Sequence, residues 1–349
     1  MPASQNGNGV LERQPITLGM ASANQVIEQV ERASALGGMA RLRPLATGYH
    51  PLDELLNGGL RAGELMIVGG AFGVGKTILA LQIARNAVRD DPDATAMYVC
   101  YEHDQTHLLL RLLCLESAEY GDINTALTLR KLAQITARDD DAAGLMAHLR
   151  ATGRYAAAIK AVESYGDRLF FVKASGSTST LDEIAAWAGE RWQAEDRGLL
   201  VVDYLQKIPV RAGELQPETE VTTHLAQGLK DLAMATGLRV LAIAASDREG
   251  LKSRRMRLSD LRGSSALQYE ADIGIVLNNK FDIVSREHLV YNVTSAEAMR
   301  GWVVMSVEKN RAGRTAVDME YMLDAAHFRI VDKGQYVHDR LIDEKVVLA

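Results

Sequence analysis

The chain is poor in cysteine, in aromatic residues and in proline, and it has no long apolar run. Its two cysteines, Cys100 and Cys114, cannot build a disulfide framework. Both sit inside apolar runs, YVCYE and LLLRLLCLE, and are expected to be buried packing thiols. A membrane-spanning helix needs roughly 18 or more consecutive apolar residues, and the best runs, such as Val240–Ala245, are far shorter. The amino-terminal residues MPASQNGNGV lack the basic region and apolar core of a signal peptide, so a cytoplasmic protein is expected. A net positive charge is missing too. There are 39 Lys+Arg against 45 Asp+Glu, a formal charge of -6, which excludes a wholly basic nucleic-acid coat but not a local basic patch. No proline follows Pro217, so the chain beyond that point has no proline breaks. What is present, 47% hydrophobic and 24% charged residues with 5% aromatics, is the composition of a globular chain rather than a disordered one.

Residues 1–20 are rich in Ser, Asn, Gln and Gly and read as a flexible tail. From Ala23 to Leu36, Val26, Ile27, Val30 and Ala33 fall near helical spacing, and Gly37-Gly38 ends the pattern. Residues 21–44 are therefore read as a linker helix and connection, packing on its own domain or docking on a neighbouring subunit. From about Leu45, strands and helices alternate. Strand-like runs lie at 64–70, 96–102, 168–173, 198–204, 238–245 and 271–277, with helical patterns at 78–89, 105–115 and 181–192. Val221, Leu225, Leu229 and Leu232 form a further helical stripe. Near-continuous apolar strands between helices imply an α/β fold with a mostly parallel sheet covered on both faces. After residue 285 the runs LVYNV, WVVMSVE, VDMEYML and HFRIV follow one another and read as an antiparallel extension at one edge. Residues 116–165 interrupt the alternation and are read as an insert of two or three helices. The expected domain covers residues 45–332, with 333–349 as a carboxyl-terminal tail.

The strongest motif is Gly70-Ala71-Phe72-Gly73-Val74-Gly75-Lys76-Thr77, which satisfies G-x4-G-K-[ST] between a strand and a helix, the setting of a P-loop. Gly70, Gly73 and Gly75, with Val74 between them, let backbone N–H groups turn inward around phosphate oxygens, and the helix N-terminus adds its dipole. Lys76 is placed to reach the β and γ phosphates of ATP, and the Thr77 hydroxyl to ligate Mg2+. The metal shell needs a carboxylate at the end of a buried strand, and Asp203 closes GLLVVD. A group must also orient or deprotonate the attacking water. Glu102, ending the strand after the P-loop helix, is the candidate, because ligands of α/β sheets bind at the carboxyl ends of the strands. His103 and His107 have i, i+4 spacing but no evident third ligand, so no zinc site is read from them.

Basic residues cluster twice. Residues 248–262 carry Arg248, Lys252, Arg254, Arg255, Arg257 and Arg262 against Glu249 and Asp260, and read as a mobile loop able to track a phosphate backbone without reading bases. Lys309, Arg311 and Arg314 follow a strand around Gly313, where a cation can serve as an arginine finger in a neighbour's site.

In this order the motifs resemble the RecA-like C-terminal ATPase domain of the DnaB-type replicative helicases. The likeness begins at Thr47-Gly48-Tyr49-His50-Pro51-Leu52-Asp53. It continues through the P-loop, Tyr101-Glu102 and the helix HLLLRLL, then Val202-Asp203-Tyr204-Leu205-Gln206. Ser259-Asp260-Leu261-Arg262, Ala271-Asp272-Ile273 and Lys309-Asn310-Arg311-Ala312-Gly313 complete it, so that it covers roughly residues 45–332. The resemblance implies a ring of six copies with Mg-ATP between subunits, Lys309 and Arg311 acting in trans, and the Ala23–Leu36 helix docking on the adjacent copy. It also implies a channel loop in which Arg254, Arg255, Arg257 and Arg262 hold single-stranded DNA. Three departures stand out. The family carries an N-terminal helical domain ahead of the linker, the place of primase or loader contacts, where this sequence has residues 1–20. The family's strand-end Ser-Gln, whose Gln senses the γ-phosphate, reads Ala244-Ala245-Ser246. The insert at 116–165 is long and helical, a possible seat for a protein partner. The expectation is a motor on single-stranded DNA; the alternative is a RecA/KaiC-like regulatory or assembly ATPase that does not unwind DNA.

Overall fold

The structure, a computed structural model, describes residues 20–35, 42–138, 144–192, 196–210, 217–247, 250–284, 298–338 and 341. The tail at 1–19, Arg248 and the run LVYNV lie outside these residues. In chain order the elements are α1 (Ala23–Ala35), α2 (Leu52–Leu55), β1 (Leu65–Gly70), α3 (Lys76–Asp90), β2 (Ala94–Cys100), α4 (Gln105–Tyr120), α5 (Leu129–Arg138), α6 (Gly144–Ala151), α7 (Gly153–Tyr165) and β3 (Leu169–Lys173). There follow α8 (Leu181–Arg191), β4 (Arg197–Asp203), α9 (Glu218–Thr236), β5 (Arg239–Ile243), α10 (Ser264–Glu270), β6 (Ile273–Asn279), α11 (Lys280–Ile283), β7 (Trp302–Asn310), β8 (Val317–Asp324), β9 (Arg329–Ile330) and β10 (Gln335–Tyr336). The chain divides into two units, residues 1–40 and 41–349. In the first, α1 starts with a capping box. The Gln25 amide accepts from the Ser22 backbone N–H at 2.7 Å, while the Ser22 hydroxyl accepts from that of Gln25 at 3.3 Å.

The second unit is built on one sheet, with the order β10-β8-β7-β6-β1-β5-β4-β2-β3 and β9 paired to β8. From β3 to β6 the pairings are parallel; from β6 through β7 and β8 to β10 they are antiparallel. The apolar runs explain the arrangement. Every residue of β1, β4 and β5 is buried, because both faces are covered. Alternate residues feed two cores. Val68, Leu199 and Val201 pack with Leu79 and Ile83 of α3 and Leu108 of α4. On the other face Ile67, Leu200 and Val202 pack with Ile184 of α8 and Leu225 and Leu229 of α9. Both cysteines are buried, as their surroundings in sequence suggest. β10 pairs Gln335 and Tyr336 with Glu320 and Met319, so the sheet extends into the stretch expected to be tail. Two residues separated from the strand pattern by Gly334 carry too little periodicity to be seen in the sequence.

The insert forms three helices, α5 to α7, beyond an α4 that itself runs on to Tyr120. It has a small core of its own, with Leu113, Cys114, Leu127, Leu132, Leu149, Tyr155 and Ile159. It is also tied to the P-loop helix by a buried ionic knot. Arg85 of α3, fully buried, holds Glu116 of α4 at 2.7 Å and also pairs with Glu119. Tyr165 of α7 donates to Glu116 at 2.5 Å, and Arg85 reaches Asn86, whose amide donates to the carbonyl of Thr47. Burial works against the Arg85 charge, but Glu116 and Glu119 more than offset it and hold its pKa above the usual value.

Replacing Arg85 with Ala leaves Glu116 buried without its counter-charge. The expected cost is about 3–5 kcal/mol of unfolding free energy, read as a lower urea midpoint; a change under about 1 kcal/mol would mean that the knot is idle.

Candidate functional site

The parallel strands end together on one edge of the sheet, and three of them deliver polar groups there. β1 runs into the P-loop, and α3 starts at Lys76. Gly73 has φ 77°, a value that L side chains rarely adopt, and a Cβ there would meet nothing within 4 Å, so its open side faces space rather than protein. Gly75, at φ 99°, turns the chain into the first turn of α3. The Lys76 ammonium folds back into the loop and donates to the carbonyls of Gly70 and Ala71, each at 2.8 Å. Burial lowers its pKa, and the charges of Asp203 and Glu102 work the other way, which places all three in one electrostatic field. Phe72, at the tip, is 79% exposed.

Asp203 ends β4 and is 1% exposed. In the pairing of β2 with β4 it lies opposite Cys100, so Glu102, two residues further, emerges beside it. The carbonyl of Asp203 accepts from the Tyr101 N–H at 2.9 Å, and the peptide to Tyr204 is cis. The Asp203 carboxylate accepts from the Tyr98 hydroxyl at 2.7 Å. Burial raises its pKa, while hydrogen bonds from Tyr98 and Thr77 and the charge of Arg111 oppose the rise. Tyr98 and Arg111 are not among the candidates that the sequence offers. Their signals are a hydroxyl inside the apolar strand AMYVC and a lone charge inside HLLLRLL.

The residue types fit Mg2+ and a polyphosphate. The Thr77 hydroxyl and the Asp203 carboxylate are hydrogen-bonded, a hard oxygen donor pair that would suit Mg2+ if phosphate and water supplied the rest of the shell. Among the described residues no group of three or more His, Cys, Asp or Glu could hold a metal by itself. Open glycine backbone, an ammonium and a helix N-terminus are the donors a phosphate chain requires.

Lys309 and Arg311 lie elsewhere. β7 is antiparallel to β6, and Lys309 stands level with Gly274 at the start of β6, whereas Leu277, near its end, stands level with Gly70. The two cations therefore lie toward the amino ends of the parallel strands, away from their own P-loop. Lys309 donates to the carbonyls of Gln268 and Tyr269, and Arg311 donates to Tyr269 at 2.6 Å and pairs with Asp272 at 3.1 Å.

The basic segment after β5 is anchored rather than loose. Arg255 is 6% exposed and pairs with Asp318 of β8 at 2.6 Å; Arg257 pairs with Glu308 of β7 at 3.2 Å. Met256 exchanges two hydrogen bonds with Asn278. Over the described residues 250–262 this differs from the mobile loop expected of 248–262, because acidic residues on β7 and β8, distant in sequence, neutralise two of its arginines. Arg254 is exposed and Arg262 half-buried, with its N–H on the carbonyl of Ala245 at 2.9 Å. At Ala245, Gln206 supplies an amide instead. It accepts from the Ala245 N–H at 3.0 Å and donates to the carbonyl of Arg262 at 3.2 Å.

With this geometry in place, comparison with known proteins is informative. The family described as DnaB-like helicase C terminal domain matches residues 44–330. The chain is 28% identical over 309 residues to the replicative DNA helicase DnaB of Mycoplasma pneumoniae, covering 84% of this chain and 58% of that protein. It is 30% identical over 237 residues to the replicative DNA helicase DnaB of Treponema pallidum, covering 67% and 48%. The chain spans about half the length of the curated relatives it matches. Two solved structures share the fold. One, described as an ATPase domain, has a TM-score of 0.68 at 20% identity, covering 90% of this chain and 99% of that one. The other, a DnaB-like replicative helicase described with its interactions with primase, has a TM-score of 0.65 at 19% identity, covering 90% and 67%. The α/β sheet is RecA-like.

Lys76 supplies the charge at the centre of the cradle. Lys76→Ala is expected to weaken binding of Mg-ATP by about 10- to 100-fold, the worth of a charge-assisted hydrogen bond, in a titration with a fluorescent ATP analogue. Unchanged affinity would remove the P-loop from the site.

Proposed function

The chain belongs to the DnaB-like helicase C terminal domain family, and on that premise we propose that it is an ATP-hydrolysing motor that assembles as a ring of six and moves along single-stranded DNA. The observation that carries the proposal is the convergence of Lys76, Asp203 and Glu102 at one sheet edge while Lys309 and Arg311 stand toward the other. The first three make a phosphoryl-transfer site that lacks a finger; the last two make a finger that lacks a site. A head-to-tail ring closes both deficits at once.

In this reading Gly70, Gly73, Val74 and Gly75 wrap the phosphates with backbone N–H groups, and Lys76 leaves the carbonyls of Gly70 and Ala71 to meet the β and γ phosphates. Thr77 and Asp203 would hold Mg2+, which when bound would draw charge from the phosphate oxygens. Glu102 orients a water in line with the γ phosphorus and takes its proton. Lys309 and Arg311 of a neighbouring copy balance the charge that develops on the phosphoryl group. Arg254 and Arg262 contact the phosphates of the strand, and Arg255 and Arg257 hold their segment in place. The setting is the cytoplasm; among the described residues no helix is long and apolar enough to cross a membrane. Ala245, standing where the family has its Gln, favours a second reading, a RecA/KaiC-like regulatory or assembly ATPase without unwinding.

Single-stranded DNA is expected to raise ATP turnover severalfold; turnover indifferent to DNA supports the second reading instead. Replacing Arg254 and Arg262 together with Ala should flatten the dependence of log affinity on log salt by about 1.4, since each lost contact with a single strand removes about 0.7. An unchanged slope would take both arginines off the strand. Mixing Arg311→Ala chains with Glu102→Ala chains should restore turnover that neither has alone, because some interfaces regain an intact site and an intact finger. No recovery at any ratio would contradict action in trans.

A further inference from the structure

The scheme above gives Arg111 no step of its own beyond a charge that favours the Asp203 carboxylate, yet the structure surrounds it with the groups that carry that scheme. It is partly buried on α4, and Tyr98, Asp203, Cys100 and Glu102 all favour its charge against the cost of burial. α4 begins directly after the turn that bears Glu102, where Asp104 caps it by accepting from the His107 N–H at 2.8 Å. His103, His107 and Arg111 follow at i, i+4 and i+8, a spacing that aligns them along one face of the helical path. The two imidazoles stack with centroids 4.5 Å apart and planes 17° from parallel. The Arg111 guanidinium stands 2.9 Å from Nε2 of His103. A guanidinium can only donate, so Nε2 accepts, and the ring is neutral. Burial and the Arg111 charge, which both lower the His103 pKa, agree with that state. The other side of the guanidinium lies over the Phe328 ring at 5.0 Å. Phe328 has φ 52° and stands between β8 and β9, the strands whose Leu323 and Ile330 flank Gly75 of the P-loop.

The turn that carries Glu102 is thus held at both ends. Tyr101 is tied to the carbonyl of Asp203 through its N–H at 2.9 Å. His103 is tied to Cys100 Sγ through its own N–H at 3.3 Å, and to Arg111 through its ring. Glu102 sits between these ties with an exposed side chain, so its aim is set by the turn.

We propose that Arg111 is a positioning residue for Glu102, acting through the His103 ring and braced by Phe328. The proposal rests on the reading of Glu102 as the group that activates water. Arg111 neither meets the nucleotide nor moves a proton. It fixes the turn so that the carboxylate is aimed before the substrate arrives, and loss of such aim lowers the rate of the chemical step far more than affinity.

The test is ATP turnover by the full chain under DNA-saturated conditions, across single and double variants. Arg111→Ala is expected to lower kcat by about 10- to 100-fold with KM for ATP nearly unchanged. His103→Ala should fall the same way, and the double variant should be no worse than the worse single. His103→Gln, whose side-chain carbonyl can accept the same hydrogen bond, should recover much of the loss. In a Glu102→Ala background, Arg111→Ala should lower the residual rate no further, because the group being aimed is gone. Losses that multiply in that background, or a KM that rises as kcat falls, overturn the proposal. If Arg111→Ala fails to fold, the His103 series decides the matter with the cation in place. A wild-type chain that binds ATP without turning it over defeats the reading of Glu102 and this proposal with it; turnover with multiplying losses defeats the proposal alone.

Discussion

The pairing of β2 with β4 is the constraint on which the site depends. Once Cys100 lies opposite Asp203, the ends of the two strands are level. The buried carboxylate then meets the Tyr98 hydroxyl, and Glu102 can only emerge beside it. A slip of one residue would reverse every side chain on β4, sending Val202 toward the position of Asp203 and a charged group into the opposite core. The register is secured by burial on both faces. All seven residues of β4 are buried, and Val201 and Val202 feed different cores, so neither can be exchanged without loss on both sides. A charged carboxylate in such a setting is expensive. Its neighbours answer that cost with two hydrogen bonds, from Tyr98 and Thr77, and with the charges of Lys76 and Arg111.

The same logic sets the relation of the insert to the motor core. Arg85 is on the P-loop helix and Glu116 is on the first helix after Glu102, so one fully buried ion pair joins the element that follows β1 to the element that follows β2. Tyr165 brings in the last insert helix, and Asn86 with Thr47 brings in the segment ahead of β1. Thr47 in turn receives Asp53, whose carboxylate accepts from the backbone of Thr47 and Gly48. The Thr-Gly stretch at 47–48, far from any phosphate in sequence, is thus part of the hydrogen-bonded frame that holds α3. Buried ion pairs of this kind contribute little when intact and cost much when broken, which suits a frame that must keep one arrangement.

The sheet and the glycine loop ahead of α3 are legible in the sequence because both depend on local pattern. Unbroken apolar runs mark strands covered on both faces, and G-x4-G-K-T after such a run has few structural alternatives. The strand-end positions of Asp203 and Glu102 are legible for a related reason: Asp203 closes a buried strand and Glu102 is the first charge after one. Arg255 is not. Its sequence surroundings, Lys252 to Arg257, read as part of a mobile basic loop, and only the folding of β8 beneath it supplies Asp318. Arg111 is masked by His103 and His107, whose i, i+4 spacing suggests a pair of ligands. The relation that matters extends one turn further along the helix and ends in a cation, not a metal. β10 is lost to the tail for want of length, since two residues have no period.

Ala245 shows how such a departure is absorbed. The end of β5 presents a backbone N–H at the carboxyl edge, and with no amide side chain of its own there it needs an acceptor. Gln206, three residues after Asp203, provides one and spends its remaining donor on the carbonyl of Arg262. Arg262 closes the circuit by donating its N–H to Ala245. Three segments therefore meet on one side-chain amide: the turn after Asp203, the end of β5, and the basic segment proposed as the DNA contact. With alanine at 245, the segment after Asp203, the end of β5 and the backbone of Arg262 are joined through the Gln206 amide.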